Sequence, residues 1–182
     1  MQKLLKSIFF LDFITSNIAI LDIKIAGWAL FVFNKSSSGP LKIMLDKEIF
    51  MIYLEQEKYV DAVTIGSSVV ENMLNSTDIE DKVLAETCYN VAICNRYLGY
   101  EAYNKIVDTI NQGTDEKEQL EASLEEANKA VDYFSIAKER FYDASSFDPD
   151  DQKSAAHAKD INQLIKQIKK LFIPQIKDLI RE

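Results

Sequence analysis

The chain has little of what catalysis, metal binding or cross-linking usually needs. Its 182 residues include one histidine, two cysteines, five glycines and three prolines. None of HExxH, CxxC, GxGxxG or GxxxxGK[ST] occurs, so the residue spacings that zinc, redox and nucleotide chemistry require are missing. His157 lies in an Ala-rich stretch with no Ser or Cys placed beside it as a nucleophile. Cys88 and Cys94 stand six apart in one expected helix. At about 100° per residue they point away from each other, which excludes an intrahelical disulfide or shared metal and predicts two reduced thiols. Asp148, Asp150 and Asp151 suggest calcium, but the loop lacks the Gly and distal Glu of an EF-hand, and helix capping explains them. We therefore expect no catalytic residues, no cofactor, no metal and no enzyme activity. The net charge of −8 leaves too few cations for nonspecific nucleic-acid binding.

What is present is helix-forming composition in long stretches, attached to an apolar, basic front end. Residues 1–43 hold five Lys against two Asp, so the acidic excess lies entirely in the rest. The charge-free runs Phe13–Leu21 and Ile25–Asn34 are too short to span a bilayer as helix, and a longer span would bury Asp12 or Asp22. MQKLLKSIFFL opens like a secretory signal, yet Asp12 interrupts it and no small-x-small cleavage site follows. Three readings stay open: a membrane anchor over residues 1–33, one or two helices packed on the body, or a β-hairpin in Ile18–Phe33. In IAILDIKIAGWALFVF the charges alternate with apolar residues before Ala26-Gly27. Ser36-Ser37-Ser38-Gly39-Pro40 is the strongest linker signal, so a boundary is expected between an N-terminal segment, 1–40, and a helical domain, 41–182.

In the body, Ile49, Phe50, Tyr53 and Leu54 recur at helical spacing. Gln56-Glu57-Lys58-Tyr59 then turns into a helix carrying Ala62, Gly66 and Val69. Gly66 either permits a close approach or weakens its helix. Ser76-Thr77-Asp78 with Asp81 supplies turn and N-cap chemistry. Gln112-Gly113-Thr114 ends the next hairpin, and Asp115 with Glu118 forms a capping-box-like start. From Asp115 to Ser146 there is neither Gly nor Pro, which predicts one long helix with Leu120, Leu124, Ala127, Val131 and Phe134 as its stripe. That stripe reads as core within one chain or as a dimer seam. Ala137, Phe141 and Ala144 follow, small residues flanking an aromatic, and Phe147-Asp148-Pro149-Asp150-Asp151 closes the helix and caps the next. Lys153–Phe172 then reads as amphipathic, with Ala158, Ile161, Leu164, Ile165 and Ile168 inward and Lys159, Lys166, Lys169, Lys170 and Lys177 outward. Pro174 should stop or kink it.

Three stretches resemble the tetratricopeptide repeat: LEQEKYVDAV at an inter-helix turn, AETCYNVAICNRYLGYEAY as a first helix turning at Leu98-Gly99, and Ala137/Phe141/Ala144 with Pro149 as a repeat's end. The resemblance spans roughly residues 43–150. It implies an all-α array of antiparallel hairpins, with the final helix as a cap over the exposed end. It also implies a scaffold or adaptor whose concave face holds a peptide or helix of a protein partner. By that resemblance Asn90 is a ligand-backbone contact and Tyr53 falls at a family aromatic position. Arg96 and Lys58 would be groove cations; each has the alternative of an ordinary surface residue. A carboxylate clamp, which needs several cations on one surface, is not seen. The rival readings are a membrane-associated assembly subunit anchored by residues 1–33 and a homo-oligomer whose front end completes a neighbour's core. The expected location is cytoplasmic, either free or membrane-associated through the N-terminal segment.

Overall fold

The computed structural model of the protein describes residues 39–113 and 116–181. The expectations for the front end, and the Asp115 half of the capping box, lie outside the described residues. Every regular element among those described is helical. They are α1 (Pro40–Glu55), α2 (Tyr59–Leu74), α3 (Asp81–Gln112), α4 (Lys117–Phe147), α5 (Gln152–Gln167), a π-helical turn (Ile168–Phe172) and α6 (Ile173–Arg181). The chain divides into two compact units, Met1–Leu45 and Asp46–Glu182.

Helix α1 begins where the linker signal ends. Gly39 takes φ +67, its carbonyl accepts from the Lys42 and Ile43 amides, and Pro40 occupies the first helical position, where a missing N–H costs nothing. The helix ends at a left-handed residue, Glu57, with φ +57. The Glu57 amide donates to the Leu54 carbonyl at 3.0 Å and the Lys58 amide to the Tyr53 carbonyl at 2.9 Å. This pair of bonds is a Schellman closure, normally built on glycine. Helix α2 buries Ala62, Gly66, Val69, Val70 and Met73. A Cβ on Gly66 would lie 2.7 Å from Val91 Cγ2 and 2.8 Å from Phe50 Cε2, so of the two readings of this glycine the close approach holds.

Helices α3 and α4, of 32 and 31 residues, make the most extensive pairing in Asp46–Glu182, and α5 and α6 both return onto α4. Glu80 rather than Asp81 is the N-cap of α3, without a side-chain bond, and Asp81 is the first helical residue. The turn expected at Leu98-Gly99 is absent: both residues are buried inside unbroken helix. The reason is across the interface, where a Cβ on Gly99 would lie 2.7 Å from Phe134 Cδ1. Gly99 therefore serves as a seat for a ring from α4, and the helix continues to Gly113, which closes it at φ +64.

The expected long helix forms as α4. Leu120, Ala127, Val131 and Phe134 of its stripe are buried in the same cluster as Ala92, Ala102 and Ile106 of α3, with Leu124 partly buried against it, so the stripe is intrachain core. Ala137, Phe141 and Ala144 are buried too. The Phe147–Asp151 turn works as expected: Asp151 accepts from the Lys153 amide at 3.0 Å and pairs with the Ser154 hydroxyl, a bond that draws its carboxyl below the usual range. Pro174 does not end the last helix. The Ile173 amide reaches back five residues to the Ile168 carbonyl, and this widened turn accommodates a ring that would strike the carbonyl four residues earlier in α geometry.

Candidate functional site

The N-terminal end of α2 crosses the middle of α3. Tyr59 stacks on Tyr97 there, ring centroids 4.6 Å apart and planes within 8°. Burial, then the neighbouring Glu57 carboxylate, raises the Tyr59 phenol above its ordinary value. Beside the stack a cleft of about 250 Å³ opens between α2, α3 and α4, lined by Val60, Leu98, Ala102 and Tyr133 with a charged rim. Its apolar floor comes from the helical spacing of Leu98 and Ala102, both buried, while Val60 is 62% exposed. Tyr100, one turn on from Tyr97, is partly exposed and packs edge-on against Phe134 at 5.2 Å.

The rim is a small ion network. Lys105 lies 3.5 Å from Glu101 and 3.4 Å from Glu126; Lys129 lies 2.8 Å from Glu125 and 3.0 Å from Glu126. The hydrogen bond from Lys129 holds the Glu126 carboxyl below its usual range, with Lys105 adding to it. Bonds to Glu125 and Glu126 hold the Lys129 ammonium above its own. Solvent screens exposed pairs of this kind, so they fix the position of charge around the cleft more than they stabilise the fold.

The four residues expected from sequence do not share one surface. Tyr53 and Lys58 come together at the α1–α2 turn, the ammonium 5.9 Å from the ring centroid. Asn90 is half-buried and its Nδ2 donates toward Met51 Sδ of α1 at 3.6 Å. Arg96, also half-buried, lies over the Phe141 ring at 6.0 Å, and its Nη1 stands 3.4 Å from His157 Nδ1. Asn90 and Arg96 thus face intrachain partners on different sides of α3. His157 sits 5.1 Å from the Phe141 ring and 6.2 Å from Tyr89, packed among aromatics. Burial pushes both Cys88 and Cys94 thiols up to about 12, which keeps them protonated and unreactive at neutral pH. Among the described residues no group of three or more His, Cys, Asp or Glu side chains is placed to hold a metal.

The sequence reading missed Val60 and Tyr133 because they lie on different helices and come together only where both meet α3. Tyr59 was visible as a turn residue, but its stacking partner was not. The arrangement can hold an apolar side chain between Leu98, Ala102 and Tyr133 while charges of both signs meet the flanking polar groups. In class, the described residues define an all-helical protein with an open, aromatic-edged cleft. No family model, curated protein or solved structure matches the chain.

Proposed function

We propose that the protein is a non-catalytic scaffold that binds a peptide or helix of a protein partner, and that the cleft between α2, α3 and α4 is where the partner's apolar anchor docks. The observation that carries this reading is the exposure of Val60 beside a buried apolar floor, a cost in water that a bound side chain removes. A tetratricopeptide repeat takes about 34 residues for two helices. Helices α1 and α2, 16 residues each with a short turn, have that span, whereas α3 and α4 are each about twice as long as a repeat helix. The scaffold proposed is therefore one hairpin of repeat size joined to one of double length, with α5 and α6 as the closing cap. Tyr53 and Lys58, at the turn that leads into Tyr59, are the sequence-expected contacts retained in this reading.

A photo-crosslinking residue at Val60 in the full chain tests it in cells, with the same residue at exposed Gln163 as control. The expected result is a discrete adduct at position 60 alone. The identified segment should then bind the purified chain, at least roughly tenfold more weakly for Val60→Asp, since a charge would face a desolvated anchor. Equal adducts at both positions, or an affinity untouched by Val60→Asp, would discard the cleft as the docking site.

A further inference from the structure

The cleft beside Val60 opens into a longer groove. Helices α2 and α4 each run antiparallel to α3 and are therefore parallel to each other. Along α2, Tyr59 meets Tyr97 and Gly66 lies at Val91; along α4, Glu126 meets Lys105 and Phe134 lies at Gly99. On α2, steps of three and four carry Val60 through Val63, Ser67 and Val70 to Leu74, which keeps them on one side of the helix. The side of α4 that faces Val60 across the cleft carries Tyr133, and Ile136 follows it by three on that same side. Leu74 is 49% exposed and Ile136 39%, with Val63 and Tyr133 partly buried between. Val60 and Leu74 are separated by about 21 Å of helix, so apolar groups face water over about four turns.

The solvent edge of both walls is acidic. Helix α2 holds Asp61 and Glu71 and no Lys or Arg. Glu71 borders the Val60–Leu74 row, and Asp132 and Glu139 border the Tyr133–Ile136 side of α4. The cations on that side of α4 are already engaged: Lys129 with Glu125 and Glu126, and Arg140 with Asp143 at 3.0 Å. Glu71, Asp132 and Glu139 are exposed and have no cation partner among the described residues.

We propose that this groove takes an amphipathic helix of a protein partner whose polar face is basic. The proposal rests on the cleft reading above and adds to it the partner's conformation and charge. Apolar positions at three-and-four spacing on two parallel walls interlock with the side chains of a third helix laid along them. An extended peptide would need partners for its backbone groups, and both walls are helices whose own backbone is bonded internally. The unpaired acids then meet Lys or Arg flanking the partner's apolar stripe. A nucleic acid or an anionic bilayer would be repelled by the same acids.

The probe is a labelled synthetic peptide of about 18 residues, built on the heptad Leu-Lys-Lys-Leu-Leu-Lys-Leu and long enough to cover the groove. Fluorescence anisotropy should show the full chain binding it, and at least roughly tenfold less of a counterpart with every Lys replaced by Glu. Leu74→Ser/Ile136→Ser should weaken binding severalfold, and Glu71→Gln/Asp132→Asn/Glu139→Gln roughly tenfold. Asp108→Asn/Asp150→Asn/Asp160→Asn removes equal charge elsewhere and should weaken it far less. All these positions are exposed, and unchanged circular dichroism confirms the fold of each variant. Four results would overturn the proposal. They are no binding of the Lys peptide, equal losses from the two triple variants, no loss from the double variant, and equal binding of a peptide broken by two central prolines. Light scattering that finds a dimer, abolished by the double variant, would instead assign the groove to a second copy of the chain and also overturn it. The cleft reading is judged separately: a Val60 adduct whose segment is sensitive to Val60→Asp but indifferent to the groove variants leaves the cleft standing and overturns the helix.

Discussion

Gly99 and Glu57 show two opposite departures from what a chain's local chemistry leads one to expect. Gly99 follows Leu98 in a pattern that signals a turn, yet it lies inside α3 with helix on both sides. Glu57 has a bulky side chain, yet it takes the left-handed conformation that closes α1. The first glycine is there for space: the Phe134 ring occupies the volume where a Cβ would stand. The second position needs conformational freedom and has none supplied by its residue type. Glycine in a helical pattern can therefore mean room for a neighbour, and its absence from a turn does not prevent the turn. Gly66, with Phe50 and Val91 against it, belongs with Gly99, and Gly113, left-handed with open space around it, belongs with Glu57.

The largest effects should come from removing the ring that Gly99 seats. Phe134 is fully buried, packs edge-on with Tyr100, and belongs to the main core. Phe134→Ala should cost about 3–5 kcal/mol in urea or guanidinium unfolding, with α3 facing a cavity. A cost below about 1 kcal/mol would mean that the α3–α4 contact is not built around this ring.

Filling the glycine seats comes next. Gly99→Ala adds a methyl group 2.7 Å from a ring held in the core, and overpacking of this kind costs about 1–3 kcal/mol, against about 1 kcal/mol gained in helix propensity. Net destabilisation is expected, and more at Gly66, where Val91 and Phe50 would both have to give. Faster reaction of Cys94 and Cys88 with a thiol reagent should accompany it, as α3 lifts from its neighbours. The discriminating variant is the double one. In a Phe134→Leu background the Gly99→Ala penalty should shrink or change sign, because the methyl group then has somewhere to go. Additive costs would show that Gly99 matters for a reason other than Phe134.

How much of this was legible in the sequence follows from where each signal lies. The α1–α2 hairpin, the unbroken α4 and the Asp151 cap rest on local spacing and local hydrogen bonds, and each formed where the residues said. Gly99 could not be read, because a turn and a packing seat use the same residue and the deciding ring is in another helix. Pro174 was expected to stop or kink its helix; the chain instead widens to a π turn, with Ile168 and Ile176 both buried on either side of the proline. Asn90 and Arg96 were groove candidates by the repeat resemblance; the intrachain neighbours they have, Met51 for one and the Phe141–His157 pair for the other, come from helices distant in sequence and could not be read locally. The cleft lined by Val60, Leu98 and Tyr133 is a property of three helices together and leaves no trace in any one of them.

The smallest effects, and the most diagnostic, lie at the two left-handed residues. Glu57 stands at φ +57 and Gly113 at φ +64, each with its amide bonded to a carbonyl three residues back. A residue with a Cβ pays about 1–2 kcal/mol in this conformation, while glycine gives up about 0.5–1 kcal/mol through the freedom of the unfolded chain. The difference sets both signs. Glu57→Gly should stabilise by about 0.5–1 kcal/mol and Gly113→Ala should destabilise by a similar amount, read as shifts in denaturation midpoint at unchanged slope. Nothing lies within 4 Å of a Cβ at Gly113, so no shrinking substitution elsewhere should rescue Gly113→Ala, in contrast to Gly99→Ala. Gly113→Asn should fall between, since asparagine tolerates the left-handed region better than alanine. A loss of stability in Glu57→Gly would mean that the Glu57 side chain contributes more at this turn than its backbone strain costs, and the separation of glycines into seats and hinges would fail there first.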